Sequence, residues 1–168
     1  GTGALGLEAI SRGAKFADFV EFRPASLHAL KANVAALHLL DRTRIFKKDA
    51  VPWTAMLEPF RYDLAFVDPP YESRVLDRIL DMWRAKPFAR ILAVEHATSH
   101  AIPNGARRKV FGDCTVTIYK AAGSEKRTAN SEPPSRGRQA AGRARSEGEQ
   151  PPYPSPLTPH PSPRLAIS

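Results

Sequence analysis

The chain has 168 residues, enough for one domain of ordinary size, and 42% of them are hydrophobic, so a packed core can form. Its formal net charge of +8 fits a polyanionic partner such as RNA. The single cysteine, Cys114, excludes an intrachain disulfide and any CxxC metal spacing, and no apolar run approaches the ~18 residues of a membrane span.

Gly1-Thr2-Gly3-Ala4-Leu5-Gly6 reads as a tight loop entering a helix over residues 4–11, which Gly13 ends. Residues 16–22 form a short apolar run typical of a buried strand. Pro24 then suits a first helical position, and Leu27, Leu30, Val34 and Leu37 recur at spacings of three and four, predicting an amphipathic helix over 25–39. A second strand is predicted over 43–48, ending at Asp49, with one or two helical turns over 52–57. A third strand, 62–67, stops abruptly at Asp68-Pro69-Pro70-Tyr71, because two prolines cannot continue a central ladder. A helix over 74–85 and a fourth strand over 91–95 follow. Gly112-Asp113 between two short β-rich runs predicts an antiparallel hairpin. Strands alternating with helices indicate α/β architecture, an open sheet wound on both faces.

From about residue 123 the composition changes to Pro, Ser, Gly and Arg. Three of the eight net positive charges lie there. Such a segment cannot bury enough apolar surface to offset the entropy of ordering, so residues 1–122 are expected to form the domain and residues 123–168 a disordered tail.

Two features carry chemistry. Gly1-x-Gly3-x-x-Gly6 has the spacing with which backbone approaches a nucleotide ligand, a weak signal alone. It gains weight from Glu21, twenty positions on at the end of the next strand, where a carboxylate can accept from both hydroxyls of an adenosine ribose. Asp68-Pro69-Pro70-Tyr71 falls at the carboxyl edge of the sheet, where open α/β folds hold ligands. An exocyclic base amine is a poor nucleophile because its lone pair is conjugated into the ring. Asp68 can accept one of its hydrogens and a backbone carbonyl freed by the proline pair, that of Pro69, the other, while Tyr71 offers a ring for stacking. Nothing supplies a hydride-handling site, which disfavours a nicotinamide enzyme. The five histidines show no metal spacing, and no metal is expected. Lys47-Lys48 and Arg107-Arg108-Lys109 are short basic clusters, candidate phosphate contacts that also suit plain solvated faces.

The string Gly1-Thr2-Gly3-Ala4-Leu5-Gly6-Leu7-Glu8-Ala9, then Phe19-Val20-Glu21, Asn33, Asp49-Ala50 and Tyr62 through Tyr71, resembles the RsmD family over residues 1 to about 120. These are S-adenosylmethionine-dependent methyltransferases of a guanine N2 in small-subunit (16S) ribosomal RNA. The resemblance implies a Rossmann-like class I methyltransferase sheet with a C-terminal antiparallel hairpin. It assigns Gly1, Gly3 and Gly6 to the donor loop, Glu21 to the ribose, Asp49 with Ala50 to the adenine, and Asp68, Pro69, Pro70 and Tyr71 to the target guanine. Asn33 is more simply structural. The cofactor would be S-adenosyl-L-methionine and the partner ribosomal RNA or the small ribosomal subunit. A cytoplasmic monomer is expected. The family has a strand before the glycine loop, absent here, so the chain is expected to be truncated at its front, to lack the central strand, and for that reason not to be active or stable alone. An adenine-N6 methyltransferase acting on DNA or RNA, using the same Asp-Pro-Pro-Tyr logic, and an inactive RNA-binding fragment remain alternatives.

Overall fold

The computed structural model describes residues 1–70, 74–123 and, as backbone, 164–167. Tyr71 and the tail residues 124–163 and 168 lie outside the described residues.

Helix α1 (Ala4–Ser11) starts where Gly3 takes a left-handed φ of 84°, and the Leu7 amide donates to the Gly3 carbonyl at 2.9 Å. It ends as its sequence predicts. Gly13 sits at φ 103°, its amide donates to the Ile10 carbonyl and that of Ala14 to the Ala9 carbonyl, the Schellman arrangement. Strand β1 (Phe16–Val20) leads to α2 (Pro24–Ala36). The hydrophobic spacing continues to residue 39, but the helix stops earlier. His38 turns left-handed at φ 53°, and the His38 and Leu39 amides donate to the Ala35 and Val34 carbonyls. Local capping thus overrides the periodicity.

After a short 3-10 turn come β2 (Thr43–Phe46), the one-turn helix α3 (Ala50–Ala55) and β3 (Tyr62–Val67). Helix α4 (Val75–Ala85) and strand β4 (Ala89–Ala97) follow, then the hairpin β5 (Arg107–Phe111) and β6 (Cys114–Lys120). The strand order is β2-β1-β7-β3-β4-β6-β5, where β7 is Arg164–Ile167. Strands β2, β1, β7, β3 and β4 are parallel, whereas β6 runs antiparallel to both β4 and β5.

Strand β7 corrects two expectations. The tail is not without structure over 164–167, and the central position of the sheet is not vacant. Asp18 pairs with Ala166 on one side of β7, and Ala65 pairs with the same residue on the other. The physical reason is the ladder itself: β1 and β3 each present a row of backbone donors and acceptors that must be satisfied when buried. A four-residue segment with little apolar content around it meets that demand through backbone hydrogen bonds, which composition does not reveal.

The core lies on both faces. Leu7, Ile10, Leu30 and Val34 from α1 and α2 pack on Ala17 and Phe19. On the opposite face Leu76, Ile79, Leu80 and Trp83 from α4 pack on Ala65, Val67, Leu92, Val94 and Tyr119. The Trp83 indole N–H donates to the Ala89 carbonyl at 2.8 Å, so this buried donor is satisfied. Asp18, 1% exposed, accepts two hydrogen bonds from Arg44, at 2.8 and 2.7 Å, and one from the Tyr62 hydroxyl at 2.8 Å. This network ties β1, β2 and β3 together. Burial, then the Asp18 charge and hydrogen bond, push the Tyr62 hydroxyl pKa well above its ordinary range. Among the described residues no helix is long and apolar enough to cross a membrane.

Candidate methyl-donor site

An open cleft lies at the carboxyl ends of the parallel strands. It encloses about 410 Å³ of space, part of it open to solvent. Its wall is built by the Gly1–Leu5 loop, by Phe19, Val20 and Glu21 at the end of β1, by Leu30 of α2, and by Asp68 at the tip of β3.

The loop is held by close packing. A Cβ on Gly3 would stand 2.4 Å from Leu30 Cδ1 and 3.2 Å from Phe19 Cε1, at a φ already suited to glycine. Asn33 Nδ2 donates to the Thr2 carbonyl at 3.0 Å, so α2 fixes the loop from the side, in keeping with a structural role for that residue.

Glu21 is buried and serves the turn as well as the cleft. Its Oε1 accepts from the backbone N–H of Phe22 at 2.9 Å and of Arg23 at 2.8 Å. Its Oε2 accepts from the amino group of Gly1. Burial acts to raise its pKa, but the hydrogen bonds from the Gly1 amino group and from Arg23 win and hold it at about 2. The carboxylate is therefore charged and prefixed in orientation, with one oxygen engaged by the turn.

Asp68 is exposed on the cleft wall, next to a buried Pro69 and an exposed Pro70. Partial burial, then the nearby Glu95 charge, push its pKa up against an opposing pull from the Gly1 amino group. Glu95 lies on β4 one residue beyond the Val67–Val94 pair, and its Oε1 accepts from Cys114 Sγ at 3.2 Å. Its presence beside Asp68 follows from strand register and has no signal in the linear sequence.

The predicted residues do not all meet in one place. Gly1, Gly3, Glu21 and Asp68 line the same cleft. Gly6 is buried in the first turn of α1 and does not line it. Asp49 is the N-cap of α3, its Oδ1 accepting from the Val51 amide at 2.9 Å. Ala50 lines a second, narrow apolar slot with Val20, Trp53, Phe66 and Val67. Val20 borders both spaces. Tyr71 lies outside the described residues. His96 is a packed residue, its Nε2 3.0 Å from Thr117 Oγ1.

A twisted, mainly parallel sheet with helices on both faces and an open cleft at its carboxyl edge is consistent with an α/β fold of the methyltransferase type. Over residues 1–120 the chain matches the family described as "Conserved hypothetical protein 95", and it belongs to that family, the RsmD-type methyltransferases. It is similar to the ribosomal RNA small subunit methyltransferase D of Buchnera aphidicola, 29% identical over 90 residues, which cover 54% of this chain and 47% of that protein. To the enzyme of the same name from Escherichia coli it is 28% identical over 131 residues, 71% of this chain and 64% of that one. The chain thus spans about half to two thirds of these relatives. A solved structure from Escherichia coli, described as a methyltransferase, superposes with a TM-score of 0.61 at 27% identity, covering 71% of this chain and 70% of that chain.

Proposed function

We propose that this protein methylates the exocyclic N2 of a guanine in small-subunit (16S) ribosomal RNA, with S-adenosyl-L-methionine as the methyl source. The observation that carries the reading is the placement of Asp68 on the same cleft wall as the glycine loop and Glu21. Family membership and the names of the relatives support the ribosomal RNA substrate.

The residues present fit such a donor. Glu21 offers a charged carboxylate beside a backbone loop whose first glycine has no neighbour within 4 Å of a would-be Cβ, which leaves room for close approach. Phe19, Val20 and Leu30 give the cleft an apolar lining, and Val20 connects it to the slot at Ala50. In this reading Glu21 Oε2 accepts from the ribose hydroxyls on the cleft side, while Oε1 stays on the turn. Ala50, in the slot that shares Val20 with the cleft, borders the remainder of the nucleoside, and the Asp49 cap fixes the start of α3 beside it. When bound, the donor supplies an electrophilic methyl group on a sulfonium.

Asp68 then accepts one hydrogen of the guanine amine and the Pro69 carbonyl accepts the other. This orients the nitrogen lone pair toward the cleft, and the family resemblance assigns the stacking role to Tyr71. Orientation and electrostatics supply the acceleration, with no covalent intermediate on the protein. The carboxylate also stabilises positive charge that develops on the amine as the new bond forms, and the methylated nitrogen becomes neutral by releasing one proton to solvent through the open cleft. The reading is tested by methyl transfer from labelled S-adenosylmethionine to small ribosomal subunits, with duplex DNA as the competing substrate. Asp68→Ala is expected to abolish transfer, while calorimetry still detects donor binding; normal turnover in this variant would remove Asp68 from the mechanism.

A further inference from the structure

Strand β5 is one of the two edge strands of the sheet among the described residues, β2 being the other, and all five β5 residues are exposed. Three of them in succession, Arg107, Arg108 and Lys109, are cationic, and the strand ends in Val110 and Phe111, each 54% exposed. Directly paired residues in a pleated sheet point to the same face. Lys109 pairs with Val116 and Val116 with Glu95, which lies level with Asp68. Phe111 pairs with Cys114, and Arg107 with Ile118, so both share the face of Lys109. Asp68 and Lys109 thus stand in one row across the sheet, three strand spacings or about 14 Å apart. The Lys109 ammonium sits over the Phe111 ring, 4.8 Å from its centroid.

Charged side chains on an edge strand commonly serve to prevent edge-to-edge pairing. That purpose does not explain two large apolar residues left exposed on the same strand. A cationic run beside an exposed aromatic ring is the composition that tracks a single-stranded nucleic acid, with cations on phosphates and a ring on a base. We propose that β5 is the RNA-gripping edge of this protein: Arg107 and Lys109 bind backbone phosphates of single-stranded RNA a few nucleotides away from the base held at Asp68, and Phe111 stacks on an intervening base. The inference rests on the function proposed above. It adds the surface that sets the path of the substrate strand and makes an unpaired region the substrate.

The test is binding of the full chain to a fluorescein-labelled single-stranded RNA of twelve mixed nucleotides, followed by anisotropy between 50 and 200 mM salt. Calorimetry with S-adenosylmethionine and methyl transfer to small subunits run in parallel. Losing two phosphate contacts in Arg107→Ala/Lys109→Ala should flatten the slope of log K against log salt by about 1.4. Phe111→Ala should weaken binding roughly tenfold and leave the slope unchanged. Arg78→Ala, on the α4 face, removes a charge and should leave both unchanged. Thermal midpoints check that these surface variants stay folded. If the β5 variants bind RNA like the parent, or if the parent binds none, the edge is not an RNA surface. A partner protein that instead pairs with β5 and loses affinity in these variants would likewise overturn the proposal. Donor binding and methyl transfer that persist in the parent would leave the methylation reading standing in either case. Hairpin-dependent RNA binding without donor binding would overturn the methylation reading and keep the edge.

Discussion

Gly3 offers a direct test of how the donor loop is held, through Gly3→Ala compared with Gly13→Ala. Both glycines have left-handed φ values, 84° and 103°, so a Cβ at either costs about 1–2 kcal/mol of backbone strain. Part of that is offset by ~0.4–1 kcal/mol from a stiffer unfolded chain. The surroundings differ. At Gly13 nothing lies within 4 Å of the new carbon, whereas at Gly3 it falls 2.4 Å from Leu30 Cδ1. Leu30 is 1% exposed and packs with Phe19 and Val34, so it cannot swing aside freely. Overpacking of this kind adds about 1–3 kcal/mol. Gly13→Ala should therefore cost about 1 kcal/mol and Gly3→Ala about 2–4 kcal/mol, a large part of the ~5–15 kcal/mol that small domains possess. Urea denaturation reads both as a change in midpoint at constant m-value. Calorimetry on the folded fraction should show weaker donor binding for Gly3→Ala alone, since only that loop lines the cleft. Equal destabilisation by the two variants would refute the claim that Leu30 and Phe19 clamp the loop.

Three further outcomes are expected. Tyr62→Phe removes one of the hydrogen bonds to buried Asp18 and should cost about 1–2 kcal/mol, whereas Asp18→Ala removes the acceptor of both the partly exposed Arg44 guanidinium and the buried Tyr62 hydroxyl and should cost about 2–4 kcal/mol; equal costs in urea melts would contradict the network. Burial, aided by the charges of Arg108 and His100, holds the His96 pKa below the ordinary 6.5, so the unfolded chain takes up this proton first. Stability should be full above about pH 6.5 and decline as pH falls below it, and His96→Gln should remove that part of the decline in denaturation midpoints measured from pH 7.5 to 5. Ala166→Pro deletes an amide from a strand paired on both sides and should lower the thermal midpoint by several degrees or prevent folding; an unchanged midpoint would show that β7 does not hold the centre of the sheet.

The sequence alone determined most of the individual elements. Periodicity located α1 and α4, a proline pair ended β3, and Gly13 and Gly112 marked turns that backbone sterics demand. Glu21 and Asp68 were legible as site candidates because a polar residue at the end of an apolar strand has few other places to point. Tertiary structure decided what those elements become together. Helix α2 stops at Ala36 because capping at His38 outweighs an apolar spacing that runs on. Glu95 stands beside Asp68, and Lys109 in the same row, because of strand register, a relation between segments far apart in the chain. The central strand comes from residues 164–167, where composition indicated no structure at all. Backbone hydrogen bonding is indifferent to side-chain type, so a vacancy between two parallel strands is filled by geometry that composition does not encode.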